Sequence, residues 1–119
     1  MTSTAAHEVP ETGLRELLLW IVRRRRRVRV EGRSMEPVLQ DGQTVLVRPL
    51  AAGERPVVGD LVLARHPFRR SVHLLKRVGR VDGEGRLELL GDNPPESTDS
   101  RQLGTVAAER LLGLVTSRW

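Results

Sequence analysis

The chain has 119 residues, a net charge of +5 at pH 7, no cysteine, no tyrosine, one phenylalanine and two tryptophans. That length supports one hydrophobic core and not two. The absent thiols exclude a disulfide framework and a thiolate metal centre, and the scarcity of rings argues against an aromatic platform for single-stranded nucleic acid.

Residues 1–12 read as a flexible tail. Leu14, Leu17, Leu18 and Ile21 then recur at helical spacing and predict a short amphipathic helix, which with the arginine run makes up residues 13–27. Only Leu17 to Val22 is uninterrupted and apolar, against the roughly twenty residues of a spanning helix, and Arg15 and Glu16 rule out a secretory signal peptide. Two readings of this helix stay open. It can cover one side of a sheet, or lie in a lipid interface with Trp20 and the leucines in the apolar layer and Arg23–Arg27 at anionic head groups, making residues 14–29 a peripheral membrane contact.

Beyond it, strands are predicted at Val28–Glu31, Thr44–Arg48, Asp60–Arg65, Val72–Val78, Arg86–Leu90 and, in one or two pieces, from Leu103 to Val115. Gly, Pro and Asp clusters separate them at intervals of roughly ten residues. Asp82-Gly-Glu-Gly85 has hairpin chemistry. The expected architecture is mostly β, a small coiled or barrel-like sheet with one short N-terminal helix, and residues 28–119 form the functional domain.

Nineteen of the twenty basic residues are arginine; the exception is Lys76. A guanidinium keeps its proton at any working pH, whereas a buried ammonium can become a neutral amine, so Lys76 is the one basic side chain suited to general-base chemistry. Leu74, Leu75 and Val78 can wall it off, and Arg77 falls on the opposite face of a strand. Ser34 follows the Val28–Glu31 run, after Gly32 and before Pro37, on a tight turn that would expose its hydroxyl. Serine in such a turn also serves simply to hydrogen-bond the backbone.

Four segments together resemble the signal peptidase I family. Gly32-Arg-Ser-Met-Glu-Pro-Val-Leu39 resembles its serine box, Val57-Val-Gly-Asp-Leu-Val62 its glycine-aspartate strand box, and Leu75-Lys-Arg-Val-Gly79 its lysine-arginine box. Gly91-Asp-Asn-Pro-Pro-Glu-Ser-Thr-Asp-Ser-Arg101 is similar to its last box. The resemblance implies a serine endopeptidase in which Ser34 is the nucleophile, Lys76 the general base and the Ser34 backbone N–H an oxyanion donor. It implies further that Ser97 orients the lysine, that Asp99 and Arg101 form a structural clamp, and that Met35 and Pro37 lie at the substrate. Gly32 stands where some members carry a hydroxyl, which leaves a second oxyanion donor unassigned. Asp92 and Asn93 read as turn formers.

The short Gly79–Leu90 connection and the lack of an anchor are similar to the members that mature nickel-type superoxide dismutase. This implies a soluble, cytoplasmic enzyme that removes a short N-terminal propeptide from the dismutase precursor. General signal peptidase activity at the membrane surface is the alternative. A non-enzymatic module binding nucleic acid or an anionic surface through the arginines is a third, although no nucleic-acid-binding signature is present. No cofactor or metal is expected: His66 and His73 flank a turn and His7 lies in the tail, without a convincing third ligand.

Overall fold

Leu61-Val-Leu-Ala64 is a continuous apolar run rather than an alternating one, the pattern of a strand buried on both faces. In the computed structural model, which describes residues 9–69 and 71–119, this run is the interior of a sheet. Its odd-numbered leucines, Leu61 and Leu63, enter one core with Val9, Val30, Met35, Leu39, Val45 and Val47. Val62 and Ala64 enter a second with Val78, Leu87, Leu89, Val106 and Leu111.

The described elements are α1 (Leu14–Ile21), β1 (Arg26–Arg29), β2 (Thr44–Arg48), β3 (Leu61–Arg65), β4 (His73–Val81), β5 (Leu87–Leu90), α2 (Ser100–Leu103) and β6 (Leu111–Arg118). The strands form one antiparallel sheet in the order β1-β2-β6-β3-β4-β5. The mostly β architecture with a short N-terminal helix is thus as expected. The sheet is open rather than a closed barrel, with β1 and β5 at its edges.

Several boundaries move, each for a local reason. β1 begins inside the arginine run, where Arg26 and Arg27 pair with Val47 and Leu46. An edge strand needs only backbone hydrogen bonds on one side, so long polar side chains do not prevent it. The segment expected as strand from Leu103 splits. Asp99 and Gln102 make a capping box that winds residues 100–103 into a single helical turn, and Gly104 (φ 81°) leaves that turn. Val106 then makes an isolated bridge to Leu87, and strand pairing with β2 and β3 resumes only from Leu111. Asp82–Gly85 forms the β4–β5 turn, with the Asp82 carboxylate accepting from the N–H groups of Glu84 and Arg86.

The tail expectation falls partly outside the described residues, since residues 1–8 are not among them. Val9 is buried, and residues 9–12 run beside β6, with Arg118 N–H donating to the Pro10 carbonyl (2.8 Å) and Thr12 N–H to that of Arg118 (2.7 Å).

The β2–β6 pairing leaves no room at Gly113, where a Cβ would sit 2.5 Å from the Arg48 carbonyl oxygen and 2.6 Å from Val47 Cγ1. Gly113→Ala must push two central strands apart. It is expected to cost about 1–3 kcal/mol, read as a lower midpoint in thermal or urea unfolding; an unchanged midpoint would contradict this packing.

Candidate active site

Ser34 lies on a loop that the sequence closes at its neck. Beyond the end of β1, Val30 N–H donates to Gln43 (2.7 Å) and Gly42 N–H to Val30 (2.8 Å), which joins the two ends of the 31–41 segment. Asp41 accepts from the Gly32 N–H (2.9 Å), and Gly32 takes a φ of 84°, a conformation glycine adopts without strain. Met35 and Leu39 fix the loop from below by entering the core, and the Leu39 N–H donates to Met35 (2.9 Å).

Lys76, in the middle of β4, is only 4 % exposed. Its Nζ donates to Ser97 Oγ (3.0 Å), and the Ser97 hydroxyl donates to Asp99 Oδ2 (2.7 Å). Because that hydroxyl proton is committed to Asp99, Ser97 receives the lysine as an acceptor, which fixes the direction of one N–H and leaves the amine's remaining valences for the groove. Burial pushes the Lys76 amine below lysine's ordinary 10.5; the Asp99 charge opposes this and the Arg101 charge adds to it. Burial alone would raise the Asp99 carboxyl. Hydrogen bonds from the Arg101 guanidinium, the Gly91 N–H (2.8 Å) and the Ser97 hydroxyl instead hold it well below the usual carboxylate range. Asp99 is therefore a stable anion at the foot of the lysine.

The 91–93 segment joins this wall to the serine loop. Asn93 N–H donates to the Ser34 carbonyl (2.8 Å) and Asn93 Nδ2 to the Arg33 carbonyl (2.9 Å). The Arg33 carbonyl and the Ser34 N–H belong to one planar peptide unit and point to opposite sides of it. Holding the carbonyl therefore aims the N–H. Gly91 is obligatory at this junction, since a Cβ would overlap Ser97 Oγ and lie 2.7 Å from the Ser34 carbonyl oxygen. Asp92 makes a two-pronged pair with Arg77 (2.9 and 2.8 Å), whose guanidinium also donates to the Gly59 carbonyl (2.8 Å). Asp92 and Asn93 are thus more than turn formers. No spacing signal could have shown this for Asn93, whose partner Arg33 is sixty positions away.

Ser34 and Lys76 line the same groove, of about 380 Å³, together with Val28–Glu31, Met35, Leu63 and Ser71–Leu75. Met35 is at its floor. Pro37, expected at the substrate, lines a separate hollow with Val38, Gln40, Asp41, Gln43 and Arg118. Arg101 does reach Asp99, through Nε (3.0 Å) and Nη2 (2.5 Å). Of the histidines, His73 lines the groove, while His66 Nδ1 accepts from the N–H groups of Phe68 and Arg69 as a loop cap. Among the described residues no cluster suits a metal ion.

The sequence matches the family described as "Signal peptidase, peptidase S26" over residues 16–84, more than half of the chain, a stretch that holds both Ser34 and Lys76 and stops short of Gly91. It is also similar to the Mitochondrial inner membrane protease subunit 1 of Xenopus tropicalis, with 29% identity over 107 residues, covering 73% of this chain and 64% of that protein. The chain thus spans a little under two thirds of that relative's length.

Two outcomes follow from this geometry. Asn93→Ala should lower kcat roughly tenfold or more in a peptidase assay with KM nearly unchanged, because it frees the Ser34 peptide unit without touching the groove; an equal rise in KM would point to a general collapse instead. Lys76 titrates lower in the folded chain than in the unfolded one, so the unfolded chain binds more protons below 10.5 and stability rises as pH climbs towards that value. Lys76→Met should therefore be more stable than wild type at neutral pH, with the difference in Tm narrowing as the pH rises. A difference that does not change with pH would contradict a desolvated amine.

Proposed function

The chain belongs to the signal peptidase family, and from that premise we propose that it is a serine endopeptidase working through a Ser34/Lys76 dyad. The observation that carries this reading is the buried Lys76–Ser97–Asp99 chain on the wall of the groove that Ser34 also lines. A hydroxyl becomes a nucleophile when a neighbouring base takes its proton, and a desolvated lysine is such a base.

In this mechanism an extended peptide lies in the groove, its main chain pairing with the Val28–Glu31 segment. Lys76 Nζ takes the Ser34 hydroxyl proton as Oγ bonds to the scissile carbonyl carbon, and the carbonyl electron pair moves onto oxygen. The Ser34 N–H, aimed through Asn93, donates to that oxyanion. As the intermediate collapses, the C–N bond breaks and the Lys76 ammonium gives its proton to the departing amine. The acyl group then rests on Ser34 as an ester. Water, deprotonated by Lys76, attacks the ester carbon, and the proton returns to Ser34 Oγ as the new carboxylate leaves. Ser97 keeps the amine oriented throughout, and ionised Asp99, clamped by Arg101, keeps Ser97 an acceptor.

The substrate we infer is a precursor with a short N-terminal extension, that of nickel-type superoxide dismutase. The compact catalytic wall supports this: only the tight β4–β5 hairpin separates Lys76 from the Gly91–Arg101 segment. A second reading, processing of exported proteins at a membrane surface, draws support from α1, which leaves Leu14, Leu18, Ile21 and the following Val22 exposed.

Mass spectrometry of the dismutase precursor incubated with the protein tests both. One cut near the N-terminus, absent with Ser34→Ala and with Lys76→Arg, is the expected result. Lys76→Arg keeps the positive charge but not the titration, and rates should fall by at least about a thousandfold. Substantial activity in that variant would remove Lys76 as the base. An intact precursor alongside cleavage of a membrane-anchored substrate would transfer the assignment to the second reading. The pH profile of kcat/KM should rise through an apparent pKa below 10.5.

A further inference from the structure

Helix α1 leaves a large part of its apolar surface uncovered. Glu16 is turned towards the sheet, beside half-buried Leu17, Leu19 and Trp20, and accepts hydrogen bonds from Thr116 and Ser117 on β6 and from Arg25 Nε (3.1 and 3.2 Å), while Arg15 is exposed. Ser117 is itself buried and shares a hydrogen bond with Thr12 (2.9 Å). These polar contacts and the half-buried Leu17, Leu19 and Trp20 attach the helix, and none of its residues is fully buried. The other apolar residues are turned to solvent, with Leu14 73 %, Leu18 52 %, Ile21 59 % and Val22 62 % exposed. These positions, spaced by four, three and one, form one stripe along the helix.

What surrounds the stripe defines its partner. Arg23, Arg24, Arg26 and Arg27 are exposed immediately after it. Between Val9 and Arg29 there are seven arginines and only two acids, Glu11 and Glu16, of which Glu16 is turned inward. Both tryptophans of the chain are here too: Trp20 meets Trp119 edge-on (4.9 Å between centroids), and the Arg27 guanidinium lies 5.6 Å from the Trp20 ring centre. Leucine and isoleucine on one face, tryptophan beside them and a cluster of arginines at the end match the layers of an anionic bilayer surface: acyl chains, interface and phosphates. No helix among the described residues is long and apolar enough to cross a membrane, so such contact is made lying in the surface.

We propose that α1 docks the protein on anionic lipid through Leu14, Leu18, Ile21 and Val22, with Arg23, Arg24, Arg26 and Arg27 on the phosphates. This attachment does not depend on the peptidase reading. A soluble peptide would still be cut without lipid, whereas a substrate held in the same surface would meet the groove at raised local concentration.

Sedimentation with vesicles of equal parts phosphatidylglycerol and phosphatidylcholine tests it, with pure phosphatidylcholine vesicles as the comparison. The protein should pellet with the anionic vesicles, release as salt is raised, and show a blue shift in tryptophan emission on binding. Leu18→Ser/Ile21→Ser, at positions already exposed, should lower the partition by more than about tenfold. Arg23→Gln/Arg24→Gln should lower it about fivefold per arginine and flatten the salt dependence. Both variants should keep the wild-type Tm. Failure to pellet with anionic vesicles, or pelleting untouched by Leu18→Ser/Ile21→Ser, would overturn the proposal. Concentration-dependent dimerisation in the absence of lipid, abolished by Leu18→Ser/Ile21→Ser, would assign the face to a second copy of the chain and overturn it equally.

Discussion

The site depends on one buried negative charge. Asp99 receives the Gly91 N–H, the Ser97 hydroxyl and the Arg101 guanidinium, and as the cap of α2 it also receives the Arg101 N–H. An uncompensated charge in such a place would cost several kcal/mol, so the donors are as necessary to the carboxylate as it is to them. Each donor then has a further duty. Ser97 meets the lysine, Gly91 brings the wall against the serine loop, and the capped turn ends the segment. A residue outside the lining of the groove thereby fixes the positions of several that line or support it.

Lys76 is the counterpart of this arrangement. Its amine is held where ionisation is disfavoured, a loss of stability that a methionine of similar shape would avoid. Burial lowers its affinity for protons while the nearby anion partly restores it. The balance lowers the amine's hold on its proton, with the Asp99 charge limiting the effect of burial. Asn93 acts in the same spirit on the serine loop, by fixing the orientation of a peptide plane.

Much of this was legible in the sequence, for reasons that differ from residue to residue. The strands at Thr44–Arg48 and Leu61–Arg65 were readable because apolar runs bounded by turn residues have few alternatives. Lys76 stood out by rarity, and Ser34 by the glycine and proline around it. The roles of Asn93 and of the Asp92–Arg77 pair were not readable, because they exist only once distant segments meet. The helix was predicted, but not its orientation. Periodicity locates an apolar stripe without saying which way it faces, and here the inward contact is Glu16 with Thr116 and Ser117, a hundred and more positions away. The end of the arginine run, expected to precede the first strand, became part of it, since backbone pairing along an edge is indifferent to side-chain charge.

The strand order carries a consequence in time. Ser34 follows β1 and precedes β2, while Lys76 and Ser97 belong to the β3-β4-β5 side, and in the sheet these two halves meet only through β6. β6 follows both halves in the chain. Until it inserts, the halves share no sheet hydrogen bonds, although each can begin to pair within itself. Within the sheet, the Ser34 side and the Lys76 side are therefore joined only once β6 has inserted between them. A groove assembled in this way is incomplete while its own chain is unfolded and most open to attack.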